Sequence, residues 1–351
     1  MNRLSSVSRF ASKPVCNLAG KPSFAPTVAP TGKPTSKQTS KPTGTSRKPA
    51  SRQRGMAVIA ALLVVAVAAV LTAGLFQRQA TLARGIENDQ SREQARWLLI
   101  AGIDWARLIL RADARRHATT RGDQLWATPI ADMEVSRAGS GQQAWFSGFV
   151  EDEQGKLNLA SLAIGGQVRE SSVLALQRLT ASLSLPAELA VRMAQRVAES
   201  QYRMDGAKVV GMPGRLGIAA LDDLRSVDGI DARAIQALHP FVSVLPADNT
   251  AVNVNTASPE VLNAVVPGLG IGTARQLVAA RERGQWFRDR ADFINRLPTP
   301  LPEAGDANLD VGSEWFLVTG TVRIARADAR VQALLRRQDQ QSPRLIWLRE
   351  L

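Results

Sequence analysis

The sequence predicts an α+β fold: a long N-terminal helix packed on an antiparallel sheet, with a large α-helical domain inserted into that sheet. Three observations predict it. Residues 56–76 are a run of 21 positions without a charge, and the apolar periodicity carries on beyond them. Strand-like alternation occurs at two places far apart in the chain, 144–150 and 314–325. Between these places the pattern is helical and broken by glycine turns.

Residues 1–55 form a basic leader. They hold 11 of the 44 Lys and Arg and none of the 31 Asp and Glu, which leaves 33 against 31, a net charge of +2, for the rest. The overall +13 therefore belongs to the leader. The near-neutral remainder lacks the electrostatic footprint of a nucleic-acid-binding protein. Pro, Ser, Thr and Lys dominate residues 11–51, a composition that cannot bury enough apolar surface to offset its ordering entropy. Cys16, the only cysteine, also lies here. Without the leader the chain has no thiol for an oxidising compartment to change.

The apolar run begins directly after Arg52-Gln53-Arg54-Gly55. As a helix it would span roughly 30 Å, the thickness of a bilayer core. Arg52 and Arg54 place its N-terminal end on the cytoplasmic side. A secretory signal would have a shorter core followed by a small-residue cleavage site, and Ala73-Gly74 matches that poorly. An uncut membrane anchor is the other alternative.

The helix is predicted to continue as an amphipathic spine over residues 77–118. Ala95, Leu98, Leu99, Gly102, Ala106, Ile109 and Leu110 follow the spacing of one face, and Arg92, Arg96, Arg107 and Arg111 the other. Trp97 and Trp105 read as core or rim residues, with partner contact as the alternative. The next part of the sheet domain is 119–164. There 144–150 forms a strand, 151–155 a turn, and 156–159 a returning strand that closes a hairpin. The helical insertion covers 165–305, with helices expected at 172–183, 186–200, 232–238 and 273–283. Residues 306–351 return to the sheet. Trp315, Leu317, Thr319, Thr321 and Arg323 alternate with Phe316, Val318, Val322 and Ile324, followed by strands at 330–337 and 344–349.

Taken together, these parts resemble a pseudopilin. The Gly55-Met56 junction has the layout of a type IV prepilin processing site, and a hydrophobic helix with an amphipathic continuation follows. Most members of that class carry a glutamate five residues into the mature helix, where this chain has Ala60. That departure and the chain's size resemble the type II secretion minor pseudopilins of the general secretion pathway protein K family. The stretches Gln124-Leu-Trp-Ala-Thr-Pro129 and Gly148-Phe-Val-Glu-Asp-Glu-Gln-Gly-Lys-Leu-Asn-Leu159 fit the same family. So do Val252-Asn-Val-Asn-Thr-Ala257 and Trp315-Phe-Leu-Val-Thr-Gly-Thr-Val-Arg-Ile324.

The resemblance implies a pilin-like body whose insertion is of a SAM-like, helix-hairpin-helix type. It implies cleavage after Gly55 by a prepilin peptidase, N-methylation of Met56, and a single pass through the bacterial inner membrane with the body in the periplasm. It further implies a place at the tip of the pseudopilus, with two smaller minor pseudopilins and the major pseudopilin as partners. The missing glutamate fits that place. The carboxylate pairs with the N-terminal amine of the next subunit towards the tip, and the topmost subunit has none, so an apolar Ala60 avoids an unpaired charge in lipid.

Three other chemistries compete with this reading. Pro267-Gly-Leu-Gly-Ile-Gly272 resembles the turn of helix-hairpin-helix modules that bind DNA backbone. Gly268, Gly270 and Gly272 would free amides at a helix N-terminus, with Arg275 and Arg281 assisting, which makes a membrane-anchored DNA-uptake protein the alternative function. Tight helix packing explains the same glycines, and the net charge favours that reading. Calcium is the one cofactor the sequence suggests. Relatives hold it in acidic loops; the corresponding 199–206 has lost most carboxylates, whereas Asp306, Asn308 and Asp310, with Glu314 nearby, alternate oxygen ligands as a calcium loop begins. Catalysis has no foothold: His117 and His239 lie near no nucleophile pattern, and no phosphate loop or Gly-x-Ser-x-Gly is present.

Overall fold

The computed structural model describes residues 54–135, 143–297, 307–324, 327–338 and 341–351. The chain divides into two units, Met1–Ala69 and Val70–Leu351. One helix, α1, runs from Arg54 to Arg116. Every side chain from 56 to 90 is exposed. From Ser91 on, one face is covered: Ala95, Leu99, Ile103, Ala106 and Leu110 are buried in a core shared with the sheet.

The sheet has five antiparallel strands: β1 (Ile130–Glu134), β2 (Ala144–Asp152), β3 (Trp315–Ile324), β4 (Ala327–Arg336) and β5 (Arg344–Glu350), in that spatial order. β2 and β3, adjacent in the sheet, are separated in sequence by the whole helical region. β3 is the central strand. Its even-numbered residues Phe316, Val318, Val322 and Ile324 join the α1 stripe in one core, as the alternation predicts.

The predicted hairpin of 144–159 does not form. β2 pairs with β1 and β3, residues 153–155 make a 3-10 turn, and Leu157-Asn158 pairs in parallel with Val242-Ser243. The long register with β3, from Ala144↔Ile324 to Asp152↔Phe316, outweighs a local return. Trp97 and Trp105 are likewise not core residues. They are 67% and 44% exposed, because they project from α1 away from the Ala95–Leu99–Ile103 stripe.

The helical region contains two hydrophobic cores. The first gathers α2 (Glu170–Ser182), α3 (Glu188–Glu199) and α4 (Ala232–Leu238) around Leu176, Met193 and Leu238. α3 is amphipathic, with Leu189, Ala190, Met193, Ala194 and Val197 buried on one side. The second core gathers α5 (Pro259–Val265), α6 (Ile271–Glu282) and α7 (Arg290–Asn295) around Leu262, Phe287 and Phe293. Ser258 caps α5 through its hydroxyl and Pro259 stands at its first turn.

Candidate functional site

Two parts of the chain carry functional geometry. The first is the exposed stretch of α1. Met56 and Ala60 stand on it as exposed residues, and Gly55 lies in its first turn. Residues 56–76 of it are apolar on every face and exposed among the described residues, and the helix is long and apolar enough to cross a membrane.

The second part is a buried polar junction where α1, the sheet and the helical region meet. It is built outward from Asp152, the last residue of β2. The Asp152 carboxylate accepts from Ser313 Oγ (2.6 Å), Thr256 Oγ1 (2.6 Å), Asn253 Nδ2 (3.0 Å) and the Gln154 amide (2.9 Å). Burial pushes this carboxyl above its ordinary range, against the pull of the Ser313 and Thr256 hydroxyls. Asn253 also donates to the Thr120 carbonyl at 3.1 Å, which ties the loop after α1 into the same cluster. Behind it, Arg337 donates to Asp113 Oδ2 at 3.0 Å, to the Ser313 carbonyl at 2.8 Å and to Thr120 Oγ1. Asp113 and Arg337 are both buried, so the end of α1 and the end of β4 are held by a desolvated ion pair.

The stretch Val252-Asn-Val-Asn-Thr-Ala257 is the hub on the helical side. Asn253 faces Asp152, while Asn255 exchanges hydrogen bonds with the Phe287 backbone at 2.8 and 2.9 Å. Gly155 lets this loop approach: a Cβ there would lie 2.9 Å from Thr256 Oγ1 and 3.2 Å from the Thr256 backbone. Next to it, Lys156 Nζ meets Glu153 at 2.7 Å. Burial raises Glu153 and would lower Lys156, but the charges of Glu153 and Glu151 outweigh burial and hold Lys156 above its ordinary value.

The residues singled out for DNA, all on α6 or the turn leading into it, differ in environment. Gly268 and Gly270 have φ of +74° and +78° and shape the turn into α6, and Gly272 faces open space. Arg275 is exposed. Arg281 is not available to a phosphate: it is 7% exposed, and its Nη1 donates to the carbonyls of Val254 and Ala257, both at 2.8 Å. Burial lowers its pKa to about 10. Arg281 thus braces the hub.

Of the calcium candidates, Asp306 lies outside the described residues. Asn308 donates its amide to Asn249 at 3.1 Å, and Asp310 accepts from the Val311 amide at 2.7 Å within a short parallel pairing to Asn253. No group of three or more His, Cys, Asp or Glu converges among the described residues.

Comparison with known proteins matches the helical region to family models in two parts. Both are described as type II secretion system (T2SS), protein K; one covers residues 155–247 and the other 252–312. The break between them falls close to the division between the two hydrophobic cores, which Phe241 and Val265 bridge. The chain is 29% identical over 308 residues to the type II secretion system protein K of Pseudomonas aeruginosa, covering 82% of this chain and 90% of that protein. It is 26% identical to that of Aeromonas hydrophila, covering 86% and 97%. The family models and the curated relatives together support a type II secretion protein K. Protein K chains are structural pseudopilin components of the secretion machine and not enzymes, and this chain's one apolar N-terminal helix fits a transmembrane anchor. Its fold is that of a chain in the crystal structure of the GspK-GspI-GspJ complex from the enterotoxigenic Escherichia coli type 2 secretion system, with a TM-score of 0.59 at 20% identity, covering 76% of this chain and 98% of that one.

Sequence reasoning missed most of the protein K junction. Asp152 and Gln154 read as turn residues, and Asp113, Thr120, Ser313 and Arg337 drew no notice. The available signal was the density of short polar residues at strand and helix ends, around 119–124, 151–158 and 312–314.

Proposed function

We propose that the protein is a minor pseudopilin at the tip of the type II secretion pseudopilus, supporting export across the outer membrane. It is cut after Gly55, methylated on Met56, held in the inner membrane by the apolar part of α1, and faces the periplasm with its body. The observation that carries this reading is the uncharged, uncovered helix from Met56 through Ala60, continuous with the spine of a protein K fold. Ala60 supports the tip position, since a carboxylate there would require an amine partner within lipid. By analogy with the complex named for its structural relative, counterparts of GspI and GspJ are the proposed neighbours, with the major pseudopilin below them.

The first test is the intact mass and N-terminal sequence of the protein recovered from membranes of cells that contain prepilin peptidase. A chain starting at methylated Met56 supports the processing step; one starting elsewhere removes it. Copurification of two smaller pseudopilins supports the tip assembly. A body that stays monomeric with them counts against it.

A further inference from the structure

Two loops meet beyond the C-terminal end of α1. Ala118, Thr119 and Arg121 form one wall of a cleft of about 760 Å³; residues 284–288 and Arg296 form the other. Trp286 is half-buried there, and the Arg121 guanidinium lies 5.7 Å from its ring centroid. The second wall is fixed from behind. Arg296 donates to the carbonyls of Gln285 (3.0 Å) and Trp286 (3.3 Å), and the backbone turns at Gly284 with φ +91°.

The free charge around this cleft is positive. Of the carboxylates near it, Asp123 pairs with Arg121 at 3.2 Å and Asp292 with Arg296 at 2.6 Å, Asp289 caps α7 by accepting from the Asp292 amide at 2.7 Å, and Glu282 is exposed, so arginines still outnumber them. Arg288 reaches Asp292 only at 3.5 Å and its side chain is 83% exposed. Arg115 and Arg116 close α1, and Arg283 caps α6; all three are exposed and have no carboxylate partner among the described residues. Helix dipoles favour arginine at each of these ends. The chain runs from each of these ends directly into a wall of the cleft, at Ala118 and at Gly284, although its net charge after residue 55 is only +2.

We infer that this cleft docks an acidic segment of a partner polypeptide, with carboxylates on Arg283 and Arg288 and an apolar side chain against Trp286. Guanidinium forks match carboxylates in geometry as well as charge. A nucleic acid fits less well: its phosphates follow one another without a gap, and Asp123, Asp289 and Asp292 interrupt the positive surface. The cleft would take such a segment wherever in the assembly the chain sits.

The test uses the full-length protein in detergent and a fluorescent peptide of alternating Glu and Ser carrying one Leu, titrated by anisotropy at low and physiological salt. Arg283→Glu with Arg288→Glu is expected to weaken binding by about tenfold or more, and Trp286→Ala by several-fold with the charges intact. The control reverses two exposed arginines elsewhere, Arg233→Glu with Arg275→Glu, and is expected to leave binding within about twofold. Equal weakening by both pairs, or none by the first, overturns the cleft. Tighter binding of a DNA duplex than of the peptide overturns the polypeptide partner in favour of nucleic acid. Circular dichroism of each variant separates lost binding from lost folding.

Discussion

Gly102 of α1 lies against the ring of Phe146 in β2, so close that a Cβ at Gly102 would stand 2.6 Å from the ring's Cε2 and Cζ atoms. The same ring sits over Gly148 and near Gly320, where a Cβ would lie 3.1 Å and 3.6 Å from it. Glycines on the helix and on two paired strands therefore make the space that one phenyl ring fills. The spine can approach the sheet because of it.

Gly102→Ala should lower stability despite a better helix former. Alanine gains about 1 kcal/mol of helix propensity, whereas forcing a methyl group into a filled site costs about 1–3 kcal/mol. A net loss of roughly 1 kcal/mol is expected in thermal or urea unfolding. Combining it with Phe146→Leu should reverse the sign, because the smaller side chain vacates the clash. If Gly102→Ala alone is stabilising, the helix does not approach the sheet as described.

The ion pair of Asp113 and Arg337 should be more sensitive to losing one partner than both. Arg337→Met leaves the Asp113 carboxylate buried without its arginine partner, with the His117 ring 2.8 Å away. A loss of about 3–5 kcal/mol is expected for this change. Adding Asp113→Asn should restore much of it. The comparison is made by urea unfolding of the single and double variants; a double variant as weak as Arg337→Met would mean that the hydrogen bonds to Ser313 and Thr120, and not the charge, hold the joint.

The contributions of Asp152 and Glu153 to stability should fall as pH rises from the acid side towards neutrality. The folded-state pKa of Asp152 is raised above 3.8 by burial, and that of Glu153 above 4.5 by burial against the opposing charge of Lys156. Between the ordinary and the raised values the folded chain holds a proton that the unfolded chain has lost. Each group's contribution is therefore full below its ordinary pKa and declines as pH passes through the raised one. Asp152→Asn keeps an oxygen for Ser313 and Thr256 but cannot titrate, so its stability should depend less on pH over this window. A pH series of urea midpoints for both proteins checks it; identical slopes would show that Asp152 does not carry the dependence.

How much of this was legible in the sequence depended on how local the cause is. The α1 stripe and the alternation of β3 are set by periods of 3.6 and 2 within one segment, and both could be read directly. The hairpin was misread because the partner of Leu157-Asn158 is Val242-Ser243, far along the chain, and two residues of parallel pairing leave no periodic trace. Asp152 looked like a turn residue for the same reason: its partners Asn253, Thr256 and Ser313 come from distant loops. Arg281 shows the limit most plainly. An arginine on a glycine-led helix suggests phosphate, and only the path of residues 252–257 past α6 turns it inward onto Val254 and Ala257.

Ala60→Glu is the most direct probe of the proposed tip position. The position lies early in the apolar run and is exposed on α1. A subunit with a neighbour towards the tip could pair this glutamate with that neighbour's terminal amine; a topmost subunit could not. At the tip the substitution should cost about 2–3 kcal/mol of membrane insertion, reduce the amount of anchored protein, and leave secretion no better than in the unaltered strain. Ala60→Gln, polar but uncharged, should be milder. The measurements are the membrane-bound fraction and export of a secreted protein in cells carrying each variant. Improved assembly or secretion with Ala60→Glu would mean that a partner amine is present, and that the chain sits below another subunit.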